Sequence, residues 1–288
     1  MRGIQRSFNR DIRIKCGNDV FQFGARTYIM GILNVTPDSF SDGGSFTEIE
    51  NAILHAANMV EQGAHIIDVG GESTRPGAAE VSAEEELNRV LPVVKELIKA
   101  VKVPISVDTY KAEVAEQVLK AGAHIINDVW GLQRDPDIAG VIAKYDVPVI
   151  IMHNQQGSAY QIDIMEEIKR FLMKSIDIAL QAGIKREHII LDPGIGFGKM
   201  PEQNVQVMAR LGELNDLGYP WLLGTSRKSM LGKILDLPPA ERVEGTVATS
   251  VMGIIQGADI LRVHDVKENL RAAQVTDAIV RGTTTWIK

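Results

Sequence analysis

Two stretches of the chain are nearly identical: Gln62-Gly-Ala-His-Ile-Ile67 and Ala121-Gly-Ala-His-Ile-Ile126. A third, Gln256-Gly-Ala-Asp-Ile260, follows the same plan. In each, a glycine that ends a helix stands two residues before a predicted strand. The first two glycines are 59 residues apart, and Gly183 lies 61 residues beyond the second. Because each interval holds two strands, the repeating unit is about 30 residues, the size of a βα unit.

This rhythm predicts eight strand–helix units between residue 28 and about residue 281. The predicted strands are 28–33, 65–69, 104–107, 124–126, 148–152, 189–191, 221–223 and 260–263. The predicted helices are 48–62, 83–101, 111–121, 136–145, 162–182, 201–214, 239–256 and a last one that ends near 281. Eight units in a row favour an α/β fold, a (β/α)8 TIM barrel, over an open doubly wound sheet. Since no shift of composition marks a boundary, residues 1–288 are predicted to form a single domain.

Residues 1–24 do not follow the rhythm. The segments 11–14 and 20–23 alternate apolar and polar residues on either side of Gly17-Asn18-Asp19, which is the pattern of a β-hairpin. No helix is expected after either strand, so the hairpin is predicted to be an N-terminal appendage of the barrel.

The overall charge excludes some classes of partner. The net charge is −6 and the pI is near 5.6, whereas a nucleic-acid binder normally has a basic surface. A single cysteine, Cys16, excludes an intrachain disulfide. No run approaches the roughly 18 apolar residues of a membrane span, and the start lacks the pattern of a signal peptide. The sequence therefore predicts a cytoplasmic protein that binds neither nucleic acid nor membrane.

Polar residues follow nearly every predicted strand. In TIM barrels the active site lies at the carboxyl ends of the strands. The residues there are Asn34, Asp108, Asn127, His153 just after Met152, Asp192, Lys228, Arg262 and His264. Any one of them could cap the helix that follows it. A ring of Asp, Asn and Lys side chains is not needed for capping, so the set predicts one polar pocket.

These residues separate by charge. The acceptors Asp108, Asn127 and Asp192 suit a heterocycle that presents N–H donors along one edge. The others are Lys228, Arg262, His264 and Asn34. They belong to predicted strands 7, 8 and 1, which become neighbours when the barrel closes and commonly bind phosphate there. The sequence predicts a polar heterocycle with a phosphate-type group beside it.

Two loops are too long to be plain connections. Residues 35–44 and 70–77 follow the first and second predicted strands and are rich in Ser, Thr, Asp, Gly and Pro. They are predicted to be lids. Their candidate working residues are Asp38, Phe40, Asp42, Glu72, Thr74, Arg75 and Pro76.

The segment Asp192-Pro-Gly-Ile-Gly-Phe-Gly-Lys199 holds a third loop, residues 193–199, here called the glycine loop. Its glycines are predicted to let the backbone approach a bound ring closely. A Walker phosphate loop is excluded, because three residues rather than four separate Gly194 from Gly198 and Met200 follows the lysine.

Two long segments resemble the signature segments of the dihydropteroate synthase family. They are Met30-Gly-Ile-Leu-Asn-Val-Thr-Pro-Asp-Ser-Phe-Ser-Asp-Gly-Gly44 and Asp68-Val-Gly-Gly-Glu-Ser-Thr-Arg-Pro-Gly77. The family's shorter motifs are matched, in order, by Ser106-Val-Asp-Thr109, Ile126-Asn-Asp128, Leu191 to Lys199, Thr225-Ser-Arg-Lys-Ser229 and Arg262-Val-His264. The resemblance extends from about Tyr28 to the end of the chain.

The resemblance implies a transferase of folate biosynthesis that uses Mg²⁺. Such an enzyme joins the CH₂ of (7,8-dihydropterin-6-yl)methyl diphosphate to the amine of 4-aminobenzoate. The products are 7,8-dihydropteroate and diphosphate, formed through SN1-like loss of diphosphate. The resemblance also implies a homodimer, and competition by sulfonamides for the aminobenzoate pocket.

The resemblance assigns residues to four roles. The catalytic residues would be Asp108, Asp192, Lys228 and Arg262. The pterin pocket would be Asp108, Asn127, Met152, Asp192 and Lys228. The diphosphate site would be Asn34, Arg262 and His264, with Asn34 also holding the metal. The aminobenzoate pocket and lids would be Phe40, Asp42, Thr74, Arg75, Pro76, Phe197, Lys228 and Ser229.

Two alternatives remain at this stage. A pterin-dependent methyltransferase on the same fold would need the pterin acceptors but neither the diphosphate site nor the lids. A pterin-binding paralogue without synthase activity would be expected to have lost some lid residues. Residues of the diphosphate site and of both lids are present, which favours the synthase.

Overall fold

Ten strands and nine α-helices make up the described part of the chain, which in this computed structural model is residues 12–36, 46–73 and 80–283. The strands are β1 Ile12–Cys16, β2 Asp19–Phe23, β3 Tyr28–Asn34, β4 Ile66–Gly70, β5 Ile105–Asp108, β6 Ile125–Asp128, β7 Val149–Met152, β8 Ile189–Asp192, β9 Leu222–Leu223 and β10 Ile260–Val263. The helices are α1 Phe46–Glu61, α2 Ala83–Ala100, α3 Ala112–Lys120, α4 Ile138–Tyr145, α5 Ile164–Gln181, α6 Pro201–Arg210, α7 Ser229–Leu235, α8 Val243–Gln256 and α9 Val266–Val280.

Strands β3 to β10 form one parallel sheet in the order β8-β7-β6-β5-β4-β3-β10-β9. The two edges meet, because Leu191 of β8 forms a parallel bridge with Trp221 just before β9. The Leu191 N–H also donates to the Pro220 carbonyl at 2.9 Å. The predicted (β/α)8 barrel is therefore confirmed, with β3 as its first strand.

The inside of the barrel is apolar at its base and polar toward its mouth. A cluster of buried apolar residues fills the base: Tyr28, Met30, Ile66, Ile125, Ile150, Ile190, Leu222 and Ile260. Alternate residues of a strand point to the same side. Two residues beyond Ile66, Ile125, Ile190 and Ile260, the same strands carry Asp68, Asn127, Asp192 and Arg262. The change from apolar to polar occurs within one pleat, and it fixes where chemistry can take place.

The N-terminal hairpin closes the base of the barrel. Strands β1 and β2 pair antiparallel, which confirms the predicted hairpin. Ile14, Phe21 and Phe23 are buried in the same cluster as the inward residues of the barrel strands. The Phe21 ring meets Tyr28 edge to face, with centroids 4.7 Å apart. The hairpin lies outside the strand–helix repeat, as predicted, and its apolar side chains are part of the barrel's core.

The repeated Gly-Ala-His/Asp-Ile stretches have a shared structural role at the base. In each, the polar residue accepts a hydrogen bond from a backbone N–H near the start of the neighbouring strand. The pairs are His65 Nδ1 with Ile29 at 3.0 Å, His124 Nδ1 with Ile105 at 3.1 Å, and Asp259 Oδ2 with Trp221 at 3.3 Å. The repeat therefore marks the barrel's register as well as the ends of its helices.

Two predicted helices differ from the structure, and one helix was not predicted. Helix α7 was not predicted, because its seven residues are too few for a 3.6-residue period to show and include Gly232. The predicted helix 201–214 ends at Arg210 and continues as a 3-10 helix, Leu211–Leu217. The predicted helix 239–256 is divided into a 3-10 turn, Pro239–Glu241, and α8. Among the described residues, no helix is long and apolar enough to cross a membrane.

Candidate active site

Four side chains from four strands meet just inside the mouth of the barrel. Arg262 donates from Nε to Asp68 Oδ2 at 2.6 Å and from Nη2 to Asp108 Oδ2 at 2.9 Å. The Asn127 amide also donates to Asp68 Oδ2, at 3.1 Å. The acceptors and cations that the sequence separated by charge are therefore interleaved, with Arg262 lying among the acceptors.

Asp68 was not among the residues predicted for the site. It lies in the middle of β4 rather than at its end, and it is fully buried. Its sequence signal is a carboxylate inside an apolar run, Ile66-Ile67-Asp68-Val69. A charge in the middle of a buried parallel strand must be paired, and Arg262 provides the pairing here.

Three buried oxygen atoms in this cluster have no hydrogen-bond partner among the described residues: Asp68 Oδ1, Asp108 Oδ1 and Ser106 Oγ. Asp68 and Ser106 are register partners on β4 and β5. Leaving such atoms unpaired costs roughly 1–3 kcal/mol each. The arrangement is therefore suited to a ligand that brings N–H or O–H donors.

The buried carboxylates strongly affect one another's protonation. Burial raises the pKa of Asp108 to about 8; the Arg262 guanidinium opposes this, and the Asp68 carboxylate adds to it. Burial also raises the pKa of Asp192, while the Lys228 ammonium acts in the opposite direction. In the absence of a ligand the mouth therefore holds carboxyl groups that gain protons more readily than usual.

Asp192 and Lys228 lie on the β8–β9 side of the mouth. Asp192 Oδ1 accepts the Gly194 N–H at 2.7 Å, and this residue ends β8. Lys228 Nζ donates to the Ile195 carbonyl and lies 4.7 Å from the centre of the Phe197 ring. Burial lowers the pKa of Lys228 to about 8, although the Asp192 carboxylate raises it. The ammonium is thus placed between the carboxylate and an aromatic ring.

One wall of the mouth is apolar. Met152, at the end of β7, packs in a small cluster whose other members are Tyr110, Val129, Trp130 and Phe197. A flat apolar wall beside hydrogen-bond acceptors is the arrangement that a planar heterocycle needs.

The remaining side of the mouth carries His264 and Asn34. The Ser226 hydroxyl accepts the His264 backbone N–H at 3.1 Å and lies 3.0 Å from its Nδ1. A side chain at Gly70 would begin 3.7 Å from Asn34 Oδ1 and 3.9 Å from Asp108 Oδ2. The glycine therefore leaves space between an amide oxygen and a carboxylate.

This side can also serve a hard cation. Among residues 12–36, 46–73 and 80–283, no group of three His, Cys, Asp or Glu side chains is arranged to hold a metal. Mg²⁺ in phosphate-transferring sites commonly takes one or two oxygens from protein and the others from phosphate and water. The Asn34 amide oxygen suits this role, so the residues fit a cation that arrives with a diphosphate.

The predicted lid residues are only partly described. Asp38, Phe40, Asp42, Thr74, Arg75 and Pro76 lie outside the described residues. Glu72, at the start of the second loop, pairs with Lys111, which also pairs with Glu86. The Tyr110 hydroxyl donates to Glu72 Oε1 at 3.2 Å.

Ser229 is the first residue of α7, directly after Lys228.

In the glycine loop, protein atoms occupy the space beside each glycine. A Cβ on Gly194 would lie 1.9 Å from the His153 carbonyl oxygen, and one on Gly198 would lie 2.6 Å from the Gln155 carbonyl oxygen. Both glycines have positive φ, 67° and 55°. Close packing against the loop that follows β7 therefore requires glycine at positions 194 and 198, and the predicted approach of a bound ring stays a prediction.

Comparisons with known proteins agree on one family. Residues 30–264 match the model of the pterin binding enzyme family. The chain is 57% identical over 269 residues to the dihydropteroate synthase of Clostridium beijerinckii, covering 93% of this chain and 100% of that one. It superimposes with a TM-score of 0.89 and 62% identity on a dihydropteroate synthase of Clostridium difficile crystallised with pteroic acid, covering 91% and 99% of the two chains. For a Xanthomonas albilineans dihydropteroate synthase with 4-aminobenzoic acid the TM-score is 0.88, the identity 43% and the coverage 94% and 98%.

Proposed function

Since the chain belongs to the dihydropteroate synthase family of pterin-binding transferases, we propose that Asp108 and Asp192 hold the pterin of its substrate. The reaction forms dihydropteroate from a dihydropterin diphosphate and 4-aminobenzoate. The observation that supports this assignment most is the unpartnered, buried Asp108 Oδ1 at the barrel mouth. The pterin edge presents N–H and NH₂ donors, and such donors would satisfy it.

The rest of the pterin pocket follows from the same geometry. Asp192 uses Oδ1 for the Gly194 N–H, so its other oxygen is left for a donor of the ring. Asn127 is held by Asp68 through its amide NH₂, which leaves its carbonyl oxygen to accept. Met152 supplies an apolar face for the ring, and the Lys228 ammonium lies over Phe197, which packs in the same apolar cluster.

The carboxylates also suit the chemistry. An arylamine is a weak nucleophile, so the carbon that it attacks must first become electrophilic. When the C–O bond breaks, the diphosphate leaves with the electron pair and the positive charge spreads into the dihydropterin. Asp108 and Asp192 stabilise this charge as preorganised electrostatics. The amine then forms the C–N bond and releases its proton, and no covalent enzyme intermediate is needed.

The leaving diphosphate is assigned to Arg262, His264 and Asn34. Arg262 donates from Nε to Asp68 and from Nη2 to Asp108. Its Nη1 has no partner among the described residues and is available for an anion. Mg²⁺, held by Asn34 and the diphosphate, would neutralise charge on the leaving group. Asp68 thus acts through Arg262, as a residue that orients it.

4-Aminobenzoate is assigned to the side of the mouth that carries Phe197, Lys228 and Ser229. Phe197 offers a ring face and Lys228 a cation for the carboxylate. The lid residues Phe40, Asp42, Thr74, Arg75 and Pro76 complete this pocket in the proposal. Sulfonamides, which resemble 4-aminobenzoate, would compete here.

Diphosphate release tests the proposal directly. With (7,8-dihydropterin-6-yl)methyl diphosphate and Mg²⁺ present, we expect diphosphate to appear quickly only when 4-aminobenzoate is added, together with one equivalent of dihydropteroate. Chelation of Mg²⁺ should slow the release of diphosphate. Arg262→Ala should weaken the binding of the diphosphate substrate far more than the binding of free pterin. Equal losses of affinity would contradict the assignment of Arg262 to the anion. Absence of dihydropteroate would instead favour a pterin-binding paralogue.

We also propose a homodimer formed through α7, α8 and α9. Their outward sides carry the exposed apolar residues Ile234, Met252, Val275 and Ile279. Met252→Glu should yield a monomer in sedimentation velocity. Met173→Glu, on α5, is the matched control, because Met173 is 49% and Met252 is 48% exposed. Equal sedimentation of both variants would contradict this interface.

A cytoplasmic location remains a prediction from the sequence, and we propose it for the intact enzyme. Cys16 is a free, buried thiol, and burial raises its pKa to about 12, so it is held as an unreactive SH group. Fractionation of the producing cells, with the activity as the marker, tests the location.

A further inference from the structure

The glycine loop is held in one conformation by individual hydrogen bonds rather than by a helix or a strand. It has no regular secondary structure between β8 and α6, and Gly194, Gly196 and Gly198 all have positive φ. Glycine loses more backbone freedom on ordering than any other residue. Yet the loop carries Phe197, and its Ile195 carbonyl accepts a hydrogen bond from Lys228. Its order therefore matters to the pocket and must come from specific ties.

One amine makes three of these contacts; among the others, the Tyr160 hydroxyl donates to the Gly198 carbonyl at 2.9 Å and Asn204 Oδ1 accepts the Gly196 N–H at 2.7 Å. Lys199 Nζ donates to the Gly194 carbonyl at 2.8 Å and to the Phe197 carbonyl at 3.0 Å, so it joins the two ends of the loop. It also lies 2.8 Å from His153 Nδ1, on the loop after β7. The backbone of the glycine loop thus surrounds the Lys199 amine. The same amine links the loop to His153, the residue that follows β7.

The partner histidine is built to receive this amine. His153 is 1% exposed, and its ring lies against Tyr160 and edge-on to Phe171, with centroids 6.3 Å and 5.0 Å away. Burial and the Lys199 ammonium lower the pKa of His153, so the imidazole is neutral and Nδ1 can accept. His153 therefore belongs to the loop's support and does not face the pocket as a substrate ligand.

The support works in either protonation state of the lysine. Burial lowers the pKa of Lys199 to about 7, with the Asp192 carboxylate raising it and the Lys228 ammonium lowering it further. An ammonium has three N–H donors for its three acceptors. A neutral amine keeps two donors for the two carbonyls and can accept from His153 if Nδ1 carries the proton.

We propose that Lys199 is a positioning residue for 4-aminobenzoate, which holds the Phe197 ring in place by joining the ends of the glycine loop to each other and to His153. The inference rests on the proposed assignment of Phe197 to the aminobenzoate pocket. Pterin contacts depend on it less: Asp192 and Lys228 bond to Gly194 and Ile195 of the loop, but Asp108 and Asn127 lie on β5 and β6, outside it.

The test compares Lys199→Met, which keeps the length but removes the donors, with Lys199→Gln, whose amide keeps two N–H donors. For Lys199→Met we expect the KM for 4-aminobenzoate to rise about tenfold. The KM for the pterin diphosphate should stay within about twofold, and Lys199→Gln should recover part of the loss. Lys144→Met is the control, because Lys144 is an exposed lysine paired with Glu116 at 2.6 Å.

Amide hydrogen exchange gives a second measurement that does not depend on turnover. The N–H groups of Gly194, Gly196 and Phe197 are all hydrogen-bonded within the fold. Their exchange should become faster in Lys199→Met while that of β8 stays as in the wild type. Equal rises of both KM values, a fall in kcat alone, or unchanged exchange in the loop would each overturn the inference. A wild-type chain that makes no dihydropteroate would contradict the proposed function, and the exchange result would still decide whether Lys199 holds the loop.

Discussion

The two ends of the same barrel use buried polar side chains in opposite ways. At the base, His65, His124 and Asp259 each accept a backbone N–H near the start of a neighbouring strand. At the mouth, Asp68 and Asp108 each keep one buried oxygen that no described residue satisfies. Since unpaired buried polar atoms lower stability, the base is arranged for the folded state and the mouth for a ligand.

The difference shows how to tell a structural polar residue from a functional one. Both groups lie at or near strand ends and both are buried, so position along the strand does not separate them. What separates them is whether the protein itself uses every donor and acceptor. Active sites commonly give up stability in this way, and changes at the two ends should therefore affect different measurements.

The largest effect is expected at the mouth. Asp192→Asn should still accept the Gly194 N–H, but it loses the negative charge that faces Lys228 and the pterin donors. We expect kcat/KM to fall roughly 1,000-fold, which corresponds to about 4 kcal/mol. Calorimetry with pterin should show the loss of binding, and thermal unfolding should change little. Wild-type affinity for pterin would remove Asp192 from the pocket.

The next largest effect is expected at the base. Phe23 is 1% exposed and packs in the cluster that closes the barrel. Phe23→Ala should lower the free energy of unfolding by about 3 kcal/mol, because it leaves a cavity in a well-packed core. Denaturant titration measures this loss. The kcat/KM of the folded fraction should be unchanged, and a specific loss of turnover would mean that the two ends are coupled.

Most of the fold could be predicted from the sequence because the barrel repeats. The glycine-ended helices and β-branched strands set a 30-residue period that locates all eight units. Prediction failed where an element is too short to show a period, as in the seven residues of α7. It also failed where glycine or proline changes the helix type, as at Gly212 after α6 and at Pro239 before α8.

The site could be predicted only where its residues stand at strand ends. Asp192 and Asp108 were found in this way, whereas Asp68 was missed because it lies two residues deeper. Strands that are buried on both sides have no alternation of apolar and polar residues, so the sequence does not reveal which side chains point into the barrel. The contact between Lys199 and His153 joins residues 46 apart in the chain, and only the packing of two loops brings them together.

A pH effect of about 2 kcal/mol is expected from the base. Burial, aided by the nearby Arg26, lowers the pKa of His65 from 6.5 to about 4. Below pH 6.5, His65 binds a proton in the unfolded chain but not in the folded chain. The free energy of unfolding therefore falls as the pH falls from 6.5 toward 4. The loss between pH 7 and pH 5 should be about 2 kcal/mol. Unfolding of wild type and His65→Gln at both values isolates this contribution, with His55→Gln, at an exposed position, as the control. Equal pH dependence in all three proteins would exclude His65 as its source.

A pH effect of the opposite sign is expected from the mouth. Burial raises the pKa of Asp108 from 3.8 to about 8, so the folded chain holds a proton that the unfolded chain loses. Stability from this group is therefore present below pH 3.8 and is lost as the pH rises through 8. Asp108→Asn cannot titrate, so its free energy of unfolding without ligand should rise relative to that of the wild type as the pH is raised from 5 to 8. Chemical denaturation at the two pH values measures this gain, while turnover should be lost. If Asp108→Asn were instead destabilised at pH 8, Asp108 would be a structural partner of Arg262, and the contrast between the two ends of the barrel would not hold for this residue.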